Sequence, residues 1–322
     1  MYGKPESVNV HRGSLTSRGR GFRGHFGLVD PTLRWHPKPM QVIENPAAFQ
    51  TAARSAPRPL ILVPTMGALH EGHRALVRRA RELAGPHGTV AVSIFVNPIQ
   101  FDRATDLAAY PQPLDADLSA CREDGVDLAF TPQATAMYFP DRSVTVTESS
   151  LSQHLCGATR PGHFDGVCTV VLKLFNLSGA DVAVFGEKDF QQLAVIRRMV
   201  RDLDVPVEIV PHPTIREADG LAMSSRNVRL RPEHRADAPR IRHALLTARD
   251  FLQSGERSAE TIANTARTQL EPSPFLKLDY LAVVDEETLQ PVVTIQRPAV
   301  LAVAAFYGDV RLIDNIRLLP ES

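Results

Sequence analysis

The stretch Leu60-Ile61-Leu62-Val63-Pro64-Thr65-Met66-Gly67-Ala68-Leu69-His70-Glu71-Gly72-His73 contains a strand, a turn and the start of a helix. Leu60 to Val63 are apolar without polar alternation, the pattern of a short strand buried on both faces. Pro64 to Gly67 break the run. From Gly72 to Ala84, Leu76, Ala80, Leu83 and Ala84 then fall on one face of a helix.

The same grammar repeats downstream. Thr89–Val96 and Val126–Phe130 read as strands, and a helix over about 167–177 leads into the strand Asp181–Phe185. A further helix, about Gln191–Leu203, precedes the strand Val207–Val210. Repeated β-α-β units predict an α/β fold: a Rossmann-like parallel sheet with helices on both faces. After Thr214 the pattern changes. Helices over 233–254 and 259–270 are followed by three expected antiparallel strands, Asp279–Val284, Ala299–Phe306 and Arg311–Ile313. The expected division is a tail over 1–39, the sheet domain over 40–214 and a smaller C-terminal α+β domain over 215–322.

Composition bounds the function. The chain has 322 residues, enough for about two domains. Apolar residues at 43% supply a core, and 22% charged residues exclude general disorder. No run approaches the roughly 18 apolar residues of a membrane helix. The 36 Lys plus Arg balance 36 Asp plus Glu, so overall charge makes no case for nucleic acid or an anionic membrane. Cys121, Cys156 and Cys168 form no Cys-x-x-Cys pair, which argues against a disulfide framework or zinc site and suits a reducing cytosol.

Residues 1–39 carry seven Lys or Arg against Glu6 and Asp30, with no apolar period, and are expected to be a disordered basic tail. The tail lacks the apolar segment of a secretory signal, so a cytoplasmic protein is expected; an organelle transit peptide or a translation start at Met40 are the alternatives. The remaining chain holds 29 basic against 34 acidic residues. A mildly acidic body must bind any anion through a local site.

In an open parallel sheet, ligands sit at the carboxyl ends of the strands. After the first strand, His70 and His73 lie three apart at a helix N-terminus, where unpaired N–H groups and the helix dipole suit a polyphosphate. Gly67-x4-Gly72 imitates a P-loop, but His73-Arg74 replaces its Lys-Ser/Thr, so the Walker reading fails. After the second strand, Asn97 and Gln100 offer amides to the hydroxyls and carboxylate of a small substrate, or form a simple turn. Asp115 and Asp117 could hold magnesium with phosphate oxygens, or merely start a helix. After Phe185, Gly186-Glu187-Lys188-Asp189 crowd a strand-to-helix turn where Lys188 could neutralise phosphate and Asp189 take ribose hydroxyls. Ser224-Ser225-Arg226 can grip an anion.

Together these segments resemble the pantoate–β-alanine ligase family. The matching stretches are Val63–His73, Ser93–Phe101, Arg160–Phe164, Gly186–Gln192 and Arg216–Asn227, in the family's order, reaching Arg311–Asn315. The resemblance implies that pantoate carboxylate attacks the α-phosphate of ATP, giving pantoyl adenylate and pyrophosphate. The amine of β-alanine then releases AMP. It further implies that His70, His73, Lys188, Ser224, Ser225 and Arg226 carry catalysis on the phosphates, with His73 at the position of a proton donor. Met66, Gly67, Gly186, Asp189, Ile215 and Met223 would complete the ATP site, and Gln100, Gln192 and Asn97 would bind pantoate or β-alanine. Asp117 matches a magnesium-associated acid. The C-terminal domain would be a lid, and the sheet domain would make a homodimer.

The sequence departs from the family's pattern at Gln112, Ala116 and Cys156, and Ala116 weakens the case for metal in that loop. The runner-up is an adenylyltransferase of the same superfamily acting on a phosphorylated acceptor. A reading from another class makes the Arg-Gly tract near Arg18–Gly24 an RNA-binding arm, against the plainer one of a solvated tail.

Overall fold

The computed structural model describes residues 39–320. The expected basic tail lies outside the described residues, apart from exposed Pro39.

Six parallel strands form the larger sheet: β1 (Gln41–Ile43), β2 (Leu60–Thr65), β3 (Thr89–Ile94), β4 (Leu128–Phe130), β5 (Val182–Gly186) and β6 (Glu208–His212). Five helices of ten or more residues cover it: α1 (Pro46–Ser55), α2 (Glu71–Ala84), α3 (Leu114–Glu123), α4 (His163–Ser178) and α5 (Phe190–Asp202). Alternate residues of a strand point to opposite faces, and β2 obeys this rule. Leu60 and Leu62 join Phe49 and Ala53 of α1, Val170 and Val171 of α4 and Leu193 of α5 on one side. Ile61 and Val63 join Leu76, Val77 and Ala80 of α2 and Cys121 of α3 on the other. Helices therefore cover both faces, as the apolar run in β2 predicted. Phe49 stacks on Phe130 with ring centroids 4.3 Å apart, pinning α1 to β4. Leu62 has no exposed surface, so Leu62→Ala should cost about 2–5 kcal/mol.

The strand order is β1-β4-β3-β2-β5-β6. From β2 the chain runs outward through β3 to β4, then crosses back to place β5 on the other side of β2, where Ile61 pairs with Val182 and Leu62 with Ala183. The direction of winding reverses between β2 and β5. The carboxyl ends of such a neighbouring pair splay their turns apart and open a crevice.

The second sheet is antiparallel: β7 (Leu276–Asp285), β8 (Ala299–Tyr307) and β9 (Val310–Leu318). Leu301, Val303 and Ala305 of β8 face α6 (Arg240–Gln253) and α7 (Ala259–Leu270). Val300 and Ala302, on the opposite face, enter the core of the larger sheet. The smaller sheet is thus packed on both sides. The single helix expected over 233–254 is interrupted after Asp237, since Pro239 has no N–H to give the preceding turn. The last strand runs well beyond the expected Arg311–Ile313.

Candidate active site

Two turns meet over the crevice. The first leaves β2 at Thr65 and doubles back through Gly67 and Ala68, both with positive φ (85° and 46°). It enters α2 at His70, the N-cap, whose Nδ1 accepts the Gly72 N–H at 3.0 Å. His73 Nδ1 accepts the His70 N–H at 3.4 Å, completing a capping box built from two imidazoles. A Cβ on Gly72 would come within 2.7 Å of His70 Cε1, so this cap requires glycine between the histidines. Burial, with Lys188 nearby, lowers the His70 pKa to about 4. Burial, then His70 and Lys188, hold His73 well below the ordinary range. Both rings are neutral at pH 7. With each Nδ1 accepting, the proton is assigned to Nε2, which leaves each ring a donor for an anion at the positive end of α2.

The second turn follows β5. Gly186, Lys188 and Asp189 line the same cavity as His70 and His73, with Met66, Ile215 and Met223 as apolar wall. This turn is tied down from the other sheet: Asn315 Nδ2 on β9 donates to the Glu187 and Lys188 carbonyls at 3.0 Å each. Gly67 does not line the cavity. Its carbonyl accepts from Tyr110 Oη and Ser225 Oγ, both at 3.4 Å.

Amides occupy the end of β3. Gln100 and Gln192 line the cavity, as does buried Asn97. Asn97, however, is engaged with protein at each polar atom. Its Nδ2 donates to Gln100 Oε1 (2.8 Å) and the Gly166 carbonyl (3.1 Å), and its Oδ1 accepts from Tyr138 (2.7 Å). The geometry makes Asn97 a brace for Gln100. His163 is a second brace. Its Nδ1–H donates to the Gln100 carbonyl at 2.8 Å, its Nε2 accepts from Arg160 at 3.2 Å, and burial lowers its pKa to about 4.

Ser224, Ser225 and Arg226 close the cavity from the start of the C-terminal segment. Ser225 Oγ donates to the Ala68 carbonyl at 2.9 Å. Arg226 Nη2 donates to Asp106 at 2.8 Å, and its guanidinium lies 5.5 Å from the Tyr110 ring centroid. Asp106 also accepts from Arg229 at 3.1 Å. Burial alone would raise the Asp106 pKa, but the two guanidiniums outweigh it and hold the carboxyl below its usual value.

Asp117 stands apart from the other candidates. It is 2% exposed, and its two oxygens accept the Ala68 N–H (2.9 Å) and the Leu69 N–H (2.7 Å) from behind the first turn. Among the described residues no group of three His, Cys, Asp or Glu side chains could hold a metal ion. With each oxygen committed to a backbone N–H group, Asp117 is poorly placed to hold a magnesium ion.

The residues that the motifs did not mark for a role are Asn315, Tyr110, Asp106, His163 and Arg160. The first, fourth and fifth lie in stretches that carry the family resemblance. Tyr110 and Asp106 had no local signal, because each acts by facing Arg226 across the fold.

A family model described as pantoate-beta-alanine ligase matches residues 41–317. The pantothenate synthetase of Akkermansia muciniphila is 54% identical over 259 residues, which is 80% of this chain and 92% of that protein. A crystal structure of pantothenate synthetase from Thermus thermophilus superposes with a TM-score of 0.82 at 44% identity, covering 87% of this chain and all of that one. The pantoate-beta-alanine ligase of Francisella tularensis, crystallised with beta-gamma ATP and beta-alanine, gives a TM-score of 0.67 at 30% identity, covering 86% and 97%.

Proposed function

The chain belongs to the pantoate–β-alanine ligase family, and on that premise we propose how its crevice works. It is an ATP-dependent ligase that joins pantoate to β-alanine, giving pantothenate. This sets aside transfer of AMP to a phosphorylated acceptor.

The observation that carries the mechanism is the meeting of the β2 and β5 turns in one cavity with Gln100 and Gln192. ATP lies with its phosphates between the Nε2–H groups of His70 and His73 on one side and Lys188 on the other. Asp189 and Gly186 take the nucleoside, against Met66, Ile215 and Met223. Gln100 and Gln192 hold pantoate, with Asn97 keeping Gln100 in place. A carboxylate oxygen of pantoate attacks the α-phosphorus and the bond to the β-phosphate oxygen breaks. As charge moves onto pyrophosphate, His73 donates a hydrogen bond through its Nε2–H and keeps the proton, while Lys188 and Arg226 supply positive charge; Ser224 and Ser225 close over the same oxygens. The amine of β-alanine then attacks the acyl carbon and gives up its proton to solvent. AMP leaves with the oxygen that came from pantoate.

Magnesium would enter with the ATP phosphates and would offset part of their charge. The C-terminal segment acts as a lid that keeps water from the adenylate. What supports the lid is the grip of Asn315 and Ser225 on the two turns. A homodimer is proposed on the family resemblance and a cytoplasmic location on the cysteine pattern and the basic tail; light scattering and cell fractionation test them. Incubation with ATP, pantoate and β-alanine should yield pantothenate and AMP in equal amounts. No amide product under any condition contradicts the reading.

A further inference from the structure

We propose that Asp117 is an internal anion that positions the histidine turn, and not a magnesium ligand. The turn that looks like a P-loop would ordinarily offer its backbone N–H groups to phosphate. Here the left-handed backbone at Gly67 and Ala68 turns the Ala68 and Leu69 N–H groups towards α3. The two donors converge on one buried carboxylate, so the anion seat of the turn is already filled by the protein itself. Phosphate recognition passes to the next residues along, the imidazoles of His70 and His73.

Three observations support this assignment. First, each oxygen of Asp117 accepts a backbone N–H in a buried place, so its charge is already met by the turn it faces. Second, a Cβ on Gly67 would lie 2.9 Å from Asp117 Oδ2, so glycine here lets the carboxylate approach. Third, Ser225 binds the Ala68 carbonyl from the other side, so the same residue is clamped at its N–H by α3 and at its carbonyl by the C-terminal segment. The left-handed backbone at the non-glycine residue Ala68 carries a steric cost, and this pair of clamps holds it there. Asp117 touches no reacting atom; it is a positioning residue.

The inference rests on reading His70 and His73 as phosphate contacts. His73→Ala in the same pyrophosphate-exchange assay separates the two: near-normal exchange in that variant is a failure of that reading, whereas its loss beside a near-normal Asp117 variant is a failure of this one. Asp117→Ala empties the seat. Pantoate-dependent exchange of pyrophosphate into ATP should fall about 100-fold, with the KM for pantoate little changed. Formate, which can refill the seat, should restore part of the rate, whereas raised Mg2+ should not. Recovery with Mg2+ but not formate, or a near-normal rate without either, overturns the proposal.

If Asp117→Ala does not fold, Asp117→Asn serves. It keeps the shape, but its Nδ2 cannot accept an N–H. Electron paramagnetic resonance with Mn2+ should find the same ion binding in Asp117→Asn as in wild type, with and without ATP. The imidazole signals of His70 and His73 should move in its NMR spectrum. Loss of an Mn2+ site that wild type holds without nucleotide overturns the assignment, as do unmoved histidine signals.

Discussion

The turn after β2 and the turn after β5 face one another across a single cavity, yet they are secured in different ways. The histidine turn is fastened from within the larger sheet's own layer, by Asp117 of α3, and its rings cap the helix they start. The lysine turn is fastened from outside that layer, by Asn315 on the last strand of the smaller sheet. One half of the proposed phosphate site is thus fixed by α3 together with Ser225, while the other depends on where the C-terminal sheet docks. The turns differ in charge as well: buried neutral imidazoles on one side, an ammonium group on the other.

Removing the central donor of either turn should have the largest effect. His73→Ala and Lys188→Ala should each lower adenylate formation by about 100- to 1000-fold without unfolding the protein. Near-normal turnover in either would break the pairing of the two turns, and circular dichroism checks the fold.

Acid should distinguish the turns next. Folding holds His70, His73 and His163 neutral, with His70 and His163 lowered to about 4, whereas the unfolded chain takes up protons near pH 6.5. Stability must therefore fall as pH drops through 6.5 towards 4. The share of His163 is about 2 kcal/mol between pH 7 and pH 5. Urea unfolding of His163→Asn should show a correspondingly flatter acid limb; an unchanged limb would mean that the ring is not held neutral.

Gln100→Ala should raise the KM for pantoate by about 10-fold and leave that for ATP nearly unchanged. Equal losses for both would remove Gln100 from the acid's side of the cavity. Asn315→Ala should lower kcat/KM for ATP by about 5-fold, as one hydrogen-bonding side chain is lost from the lysine turn. The smallest effect is the most telling for the comparison. If the turns are held independently, Asn315→Ala and Asp117→Asn should add to within about 0.5 kcal/mol in a double-mutant cycle.

Much of this was legible in the sequence, for physical reasons that also mark where legibility ends. The strands β2, β3 and β5 are apolar because both their faces are covered, so they stood out unaided. The His-x-Gly-His spacing is a local device, a helix cap, and local devices leave local patterns. By contrast, β9 read as a short strand because Asp314 interrupts its apolar face. That charge is matched by Arg216, 98 positions away, at 2.7 Å and 2.9 Å. Asp117 was legible in part: the acidic pair read as a magnesium site or a helix start, and it does lie in the first turn of α3. Only the fold reveals that two distant backbone N–H groups converge on it. Asn97 follows suit: its partners Gly166 and Tyr138 lie far along the chain, so its bracing role had no local signature.

The most direct test of the central claim, that the carboxylate is activated by attack on the α-phosphate, follows the oxygen. Pantoate labelled with 18O in its carboxylate, incubated with ATP and β-alanine, should pass one labelled oxygen to the phosphate of AMP. AMP without label, alongside normal pantothenate formation, would contradict an adenylate route through this site.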